Sequence, residues 1–506
     1  MQELKNTKQR LHDLIAANPP DRLAVIDHDG TRYSYAQLGQ IAAQMAQMLR
    51  DHGVRGGDRV VLLAENGMTY AASILAISMC DAWIVPLNAR VPAHDIDTVL
   101  DHSGARCIIC TVGASAAAAA HAAHYDAVTL SHLPCGDVVV TPVRDVQPEP
   151  VEHGPGQVAA LFYTSGTTGK PKGVMLTHGN LLYAAKASSS VRGMDADDLV
   201  LGVLPGTHVY GFGGILLPLW QAGAAIRFLP AFDPQKVLAT LQDGITLFPA
   251  VPQMYAALLK VLRDKGIDRV QTNLKLMSSG GSALDPRWKA EVERIFGVHL
   301  HNGYGMTEAS PSVAVTRLDD PRTDTSVGRV MDGQELLIHA PGTDGAGEIW
   351  VRGPNVMKGY YKDPQATADT LTPDGFLKTG DVGRIDADGS LHIVGRCKEL
   401  IVHSGFNVYP AEVESALNAH DAVVQSAVVG RARDGNEDVL AFLVARRAVD
   451  PSELRAWMRE RMVSYKVPHH FVIVEALPQA ATGKVLKAQL LTLFTEELKQ
   501  MDAEHA

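Results

Sequence analysis

LFYTSGTTGKPKGVMLTH, residues 161–178, passes from an apolar run into hydroxyls, glycines and two lysines with a proline between them. The preceding QVAALFY reads as a strand, and the loop opens at its end, where open α/β sheets bind ligands. Gly166 and Gly169 let backbone N–H groups turn inward with no Cβ in the way. Thr164, Ser165, Thr167 and Thr168 add hydroxyl donors, and Lys170 and Lys172 add positive charge. Such a loop is a cradle for phosphate. It is not the P-loop of the nucleoside triphosphatases, which has a longer gap between its glycines and ends in Lys-Ser/Thr. Here only Thr167 and Thr168 separate the glycines, and Pro171 after Lys170 stops a helix from continuing. Kinase-like and GTPase-like chemistry is disfavoured on that ground. A plain Gly/Thr surface loop is the alternative.

A chain of 506 residues is too long for one hydrophobic core, so at least two domains are expected. With 46% apolar and 20% charged residues the composition is that of an ordinary globular protein. The net charge of −10 and the lack of any polybasic block argue against nucleic acid as a partner. An anionic ligand must therefore be held by a local positive field. MQELKNTKQRLHDL at the start has no apolar signal core, and 5 scattered cysteines fit a reducing compartment, so a cytoplasmic location is expected. Cys107 and Cys110 in CIIC fall on opposite faces of a strand and read as packing. Residues 199–226 carry no Asp, Glu, Lys or Arg, but Pro205, Pro218, His208 and several glycines make them a buried strand, pocket wall and short helix rather than a membrane span.

Strand and helix patterns alternate over the first 300 or so residues, implying parallel sheets covered by helices. DRVVLLAENG, WIVPLN, LKLMSSGG and VHLHNGYG read as strands; TYAASILAISMCDA and DPRWKAEVERIF, capped by Asp285, read as helices. From about 312 to 396 short β runs with turn signals take over, including a hairpin turning at Asp388-Gly389. A small α+β pattern follows, with helices at YPAEVESAL and DPSELRAWMRERM and strands at VVQSAVVG, VLAFLVA and HFVIVEALP.

YTSGTTGKPKG resembles the signature of the adenylate-forming enzymes, the superfamily of acyl-CoA synthetases, adenylation domains and beetle luciferase. SSGGSAL, NGYGMTEAS, LKTGDVGRID, VGRCKELI and PQAATGKVLK follow in that family's order and span nearly the whole chain. The resemblance implies an α/β fold with a large N-terminal region (1–396) of two parallel-rich αβ sheets, to about 311, plus a distorted β-barrel, about 312–396. A small mobile α+β C-terminal domain (397–506) would turn on a hinge at Lys398. It further implies that Tyr304 stacks on adenine, Thr307 meets the α-phosphate, Glu308 holds Mg²⁺, Asp381 binds the ribose and Arg396 the ribose or phosphate. Each role suits its group: an aromatic face for a purine, a hard carboxylate for Mg²⁺, a carboxylate for a vicinal diol. Lys484 would be the lysine that stabilises charge passing from carboxylate to α-phosphate. Gly405, in SGFNVYPAEVE, would leave room for a pantetheine chain.

The implied reaction takes ATP, Mg²⁺ and coenzyme A. A carboxylate attacks the α-phosphorus, pyrophosphate leaves, and a thiol then takes the acyl group. Around the acid the resemblance places His208, Val209, Tyr210 and Gly211 of LPGTHVYGFGG, with Ser279, Gly280, Gly281, Asn302 and Gly303. This stretch has no aspartate to pair an amino acid's ammonium, and it looks closest to fatty-acyl and aryl (coumarate-like) CoA ligases. Thr207 and Asn302 depart from the usual residues there, so specificity does not carry over. No basic residue stands out in these stretches, and a monocarboxylic acid with an apolar aryl or alkyl body is expected. Two alternatives stay open: a free-standing ligase that loads a carrier protein, and a nucleotide-binding module without chemistry. A monomer or homodimer is expected.

Overall fold

The computed structural model describes residues 8–165, 171–342, 344–404, 406–433, 436–479 and 485–504. Gly166, Thr167, Thr168, Gly169 and Lys170 of the phosphate loop, Gly405, and Lys484 lie outside the described residues.

Two large sheets form the N-terminal region. The first has nine strands, in the order Arg329–Val330, Ser312–Val315, Leu300–Gly305, Leu276–Ser279, Leu247–Ala250, Leu199–Gly202, Ala225–Phe228, Leu23–Ile26 and Arg32–Ser34. Its central strands are parallel and its edges antiparallel. The second has eight: Gly359–Tyr360, Pro171–Thr177, Val158–Ser165, Trp83–Asn88, Arg59–Ala64, Cys107–Cys110, Gly136–Val140 and Val128–Leu133. Strands buried on both faces need continuous apolar runs, and RVVLLA at 59–64 is buried at every residue. Cys107 and Cys110 are both buried, one in each of the two apolar clusters flanking this sheet, as their spacing predicts.

The charge-free segment at 199–226 folds as strand Leu199–Gly202, a helical stretch interrupted by a π-helical turn at Phe212–Leu216, and strand Ala225–Phe228. Among the described residues no helix is long and apolar enough to cross a membrane. Helix His178–Val191 starts where Thr177 and Asn180 cap each other's backbone reciprocally. Helix Pro286–Phe296 starts at Asp285, which accepts from Arg287 N.

The expected barrel is not closed. Glu335–His339, Gly347–Arg352, Leu377–Ile385 and Leu391–Arg396 form an open four-stranded antiparallel sheet. The other β runs of 312–396 are used elsewhere. Ser312–Val315 and Arg329–Val330 extend the nine-stranded sheet, and Gly359–Tyr360 pairs with Pro171–Thr177 at the edge of the eight-stranded one. Four strands cannot close around a core of side chains.

The last hundred or so residues build a separate core. The hairpin Ile401–His403/Phe406–Val408 and a three-stranded sheet (Val423–Arg433, Asn436–Ala445, His470–Ile473) pack with helices Pro410–Asn418 and Pro451–Arg459. Val413, Leu417, Leu454 and Met458 fill one face of the sheet, and Leu440, Phe442 and Val472 the other. Its apolar contact with the four-stranded sheet is small: Tyr409 sits against Ala346, Val382 and Gly395. Inter-domain contacts of this kind leave relative motion open.

Candidate active site

The hairpin that carries the phosphate loop has Thr164 opposite Lys172 and Ser165 opposite Pro171. A strand, not a helix, follows the loop, as Pro171 requires. The described flanks of the loop are thus fixed at one edge of the eight-stranded sheet. Lys172 Nζ lies 4.9 Å from the centre of the Tyr360 ring, a cation–π contact with the neighbouring edge strand.

Tyr360 then crosses to the other large sheet. Its hydroxyl donates to Glu308 Oε1 at 2.8 Å. Glu308 belongs to a short turn, Thr307–Ala309, at the carboxyl end of strand Leu300–Gly305. The backbone reinforces this junction, with Met357 N donating to Glu308 O and Ser310 Oγ to Asn355 O. Burial, and then the Glu308 carboxylate, push the Tyr360 phenol well above its ordinary pKa, so it stays a donor. Glu308 is buried, with one oxygen oriented by Tyr360; a hard divalent cation suits such a carboxylate.

A second link joins the nine-stranded sheet to the four-stranded one. Tyr304 OH donates to Asp381 Oδ2 at 2.7 Å, and Arg396 Nε lies 3.0 Å from Asp381 Oδ1. Asp381 and Arg396 are themselves paired across strands Leu377–Ile385 and Leu391–Arg396. The guanidinium is 52% exposed and the carboxylate 11%, so the pair opens onto the cleft from the Arg396 side. Burial and Asp381 hold the Tyr304 phenol well above its ordinary value. Three sheets therefore meet at Tyr304, Glu308, Tyr360, Asp381 and Arg396. Lys398 follows directly, exposed, in the short turn Cys397–Glu399 between the four-stranded sheet and the C-terminal hairpin.

The residues expected around the acid divide into two groups. His208 keeps an accessible face, yet crowding by protein lowers its imidazole pKa. Its Nδ1 accepts from Tyr210 N at 3.2 Å, which leaves the proton on Nε2 as a donor. The Tyr210 ring lies between two glycines: a Cβ on Gly214 would sit 2.9 Å from it, and one on Gly280 3.3 Å. Gly281 is left-handed at φ +84°, a turn that favours glycine. Val209, by contrast, is sealed in the core, and a Cβ on Gly211 would land 2.3 Å from Pro205 O, so packing alone accounts for both. Asn302 is buried, and its amide is occupied by Thr325 O and Gly303 N. Ser279 is buried with an unpartnered hydroxyl. Gly303 has room around it: a Cβ there would meet no atom closer than 3.5 Å.

Sequence reasoning missed Tyr360: KGYYKDP gives no hint that its hydroxyl orients Glu308.

The model of the AMP-binding enzyme family matches residues 13–361, and that of the AMP-binding enzyme C-terminal domain matches residues 412–484. A feruloyl-CoA synthase from Amycolatopsis sp is 36% identical over 93% of this chain and 95% of its own length. The ATP-bound MatB of Rhodopseudomonas palustris superposes with a TM-score of 0.84 at 29% identity, over 96% of this chain and 98% of that one. The o-succinylbenzoate coenzyme A synthetase of Bacillus subtilis, solved with ATP and magnesium ion, gives a TM-score of 0.80 at 29% identity, over 96% and 99%.

Proposed function

The chain belongs to the AMP-binding enzyme family, and on that premise we propose that it is an ATP-dependent acyl-CoA synthetase. It joins a carboxylic acid to AMP, releases pyrophosphate, and passes the acyl group to coenzyme A in the cytoplasm. The observation that carries this is the meeting of three sheets at Tyr304–Asp381–Arg396 and Glu308–Tyr360, beside the hairpin of the glycine-threonine loop. A nucleotide has three parts to be held, and each sheet offers a group suited to one of them.

In this reading the loop at 164–172 takes the departing phosphates, Tyr304 faces adenine, and Asp381 accepts from the ribose hydroxyls. Arg396, already oriented by Asp381, adds positive charge. Glu308 would hold Mg²⁺, which neutralises phosphate charge when bound. Thr307 sits beside it for the α-phosphate, and His208 Nε2–H points a donor toward the acid. No side-chain nucleophile is required, because the acid itself attacks phosphorus; orientation and charge stabilisation do the catalytic work. Lys484 supplies the positive charge at the developing anhydride. The C-terminal domain, whose apolar contact with the four-stranded sheet among the described residues centres on Tyr409, then turns at Lys398 and brings Gly405 to the thiol.

The test is pyrophosphate release with aryl and C2–C16 alkyl acids, with and without coenzyme A and a phosphopantetheinylated carrier protein. Acid-dependent release, with thioester formed on coenzyme A, is expected. Release at background with every acid sinks the adenylation; thioester on the carrier alone changes the acceptor.

A further inference from the structure

Arg192 caps the C-terminus of helix His178–Val191 and is only 4% exposed. Its Nη1 donates to Gly214 O at 2.7 Å, while Nε is sealed from solvent with no acceptor. Among the described residues no carboxylate pairs with it. Two other arginines with little exposure are treated differently. Arg59 gives its guanidinium to the carbonyls of Ser103, Gly57, Gly104 and Gln147, and Arg106 pairs with Asp58. A buried charge without compensation is costly, so a site that keeps one is a site that expects an anion or a strong acceptor.

The surroundings place that acceptor on the acyl side. Gly214 O lies in the π-helical turn, and the Tyr210 ring packs on Gly214 and on Gly280 at the end of strand Leu276–Ser279. Burial raises the Tyr210 phenol, and the nearby Arg192 charge opposes that rise. Ser279 Oγ, like Arg192 Nε, is buried and unpartnered. The nucleotide-side groups, Asp381 and Arg396, belong to another sheet.

We propose that Arg192 forms the far end of the acyl pocket and binds an oxygen acceptor carried by the acid at the end opposite its reacting carboxylate. This rests on the acyl-CoA synthetase reading and narrows its substrate class to acids bearing a phenolic oxygen or a second carboxylate there. A plain hydrocarbon tail would leave the buried guanidinium without the acceptor it lacks. A site built to hydrogen-bond a substrate oxygen rejects the analogue that lacks it far more strongly than an apolar pocket does.

Cinnamic, 4-hydroxycinnamic and 4-carboxycinnamic acid separate the possibilities, with kcat/KM for pyrophosphate release measured on the wild type, Arg192→Met, Arg192→Lys and Tyr210→Phe. The wild type is expected to favour at least one oxygen-bearing acid by about tenfold or more over cinnamic acid, and the favoured acid tells phenol from carboxylate. In Arg192→Met that ratio should collapse toward one; Arg192→Lys, which keeps the charge but not the planar fork, should retain part of it. A wild-type preference for cinnamic acid, or an Arg192→Met loss equal for all three acids, overturns the proposal. The rise in melting temperature with ATP and Mg²⁺ reports whether each variant is folded. Should Arg192→Met fail there, an unchanged ratio in Arg192→Lys overturns the proposal and a reduced one supports it. If no acid releases pyrophosphate, the adenylation reading fails by itself. Calorimetric affinities of the same three acids in the presence of AMP then give the ratio on which Arg192 is judged.

Discussion

On the proposed nucleotide side of the cleft the described carboxylates already have protein partners: Asp381 holds Tyr304 and Arg396, and Glu308 holds Tyr360. On the side proposed for the acid, Arg192 and Ser279 keep polar atoms buried with none. The nucleotide is the same in every turnover, so its site can be built rigid, with each group oriented by another before ligand arrives. The acid is what distinguishes one such enzyme from the next, and groups that only a substrate can satisfy make specificity. The difference teaches where rate and where selectivity are stored.

The largest effect tests the catalytic charge. Lys484→Ala should lower pyrophosphate release by about a hundred- to a thousandfold, the scale of losing one electrostatic stabiliser. It should leave thioester formation from supplied acyl adenylate largely intact; equal loss of both steps would mean one orientation serves both. Lys398→Pro should do the reverse, because a fixed φ at the pivot hinders rotation, and unchanged overall turnover would rule out that hinge. Next in size is Asp381→Asn, which removes a charge-assisted bond of about 1.5–3 kcal/mol, so the KM for ATP should rise about ten- to a hundredfold. The KM for the acid should move far less; parallel changes in both would erase the division of the cleft. Tyr360→Phe frees Glu308 and should cost about two- to tenfold, seen as a higher Mg²⁺ requirement rather than a changed acid preference.

The smallest effect concerns stability outside the cleft. Burial holds His178 at about 3, its Nδ1 accepting from Leu11 N, and holds His301 at about 4. An unfolded histidine takes its proton near 6.5, so the unfolded state binds protons first and stability falls as pH drops below that value. The melting temperature should decline from pH 7 to pH 5, and His178→Gln should flatten the slope. A flat profile in the wild type would contradict neutral burial of these rings. It also marks the range in which loss of activity is not evidence about His208.

Much of the cleft could be read from the chain. The hairpin around the phosphate loop follows from Pro171 after Lys170, and Asp285 caps its helix as a local pattern requires. Cys107 and Cys110 separate to two faces because a strand alternates. These are short-range consequences of covalent geometry. The barrel expected at 312–396 was not legible. Whether Ser312–Val315 pairs within its own segment or with Leu300–Gly305 depends on which edge is free, and that is a property of the assembled sheet.

Arg192 and Tyr360 belong to the same second class. Nothing near Tyr360 in the chain says that its hydroxyl reaches Glu308, 52 positions away, and nothing near Arg192 says that it will donate to Gly214 O. The sequence by itself determined the caps, the strand alternation and the kind of chemistry, because these rest on residue type and on neighbours a few positions apart. Only the tertiary structure decided which polar groups are satisfied and which are left unpartnered, because burial and partnership are set by what the rest of the chain brings alongside.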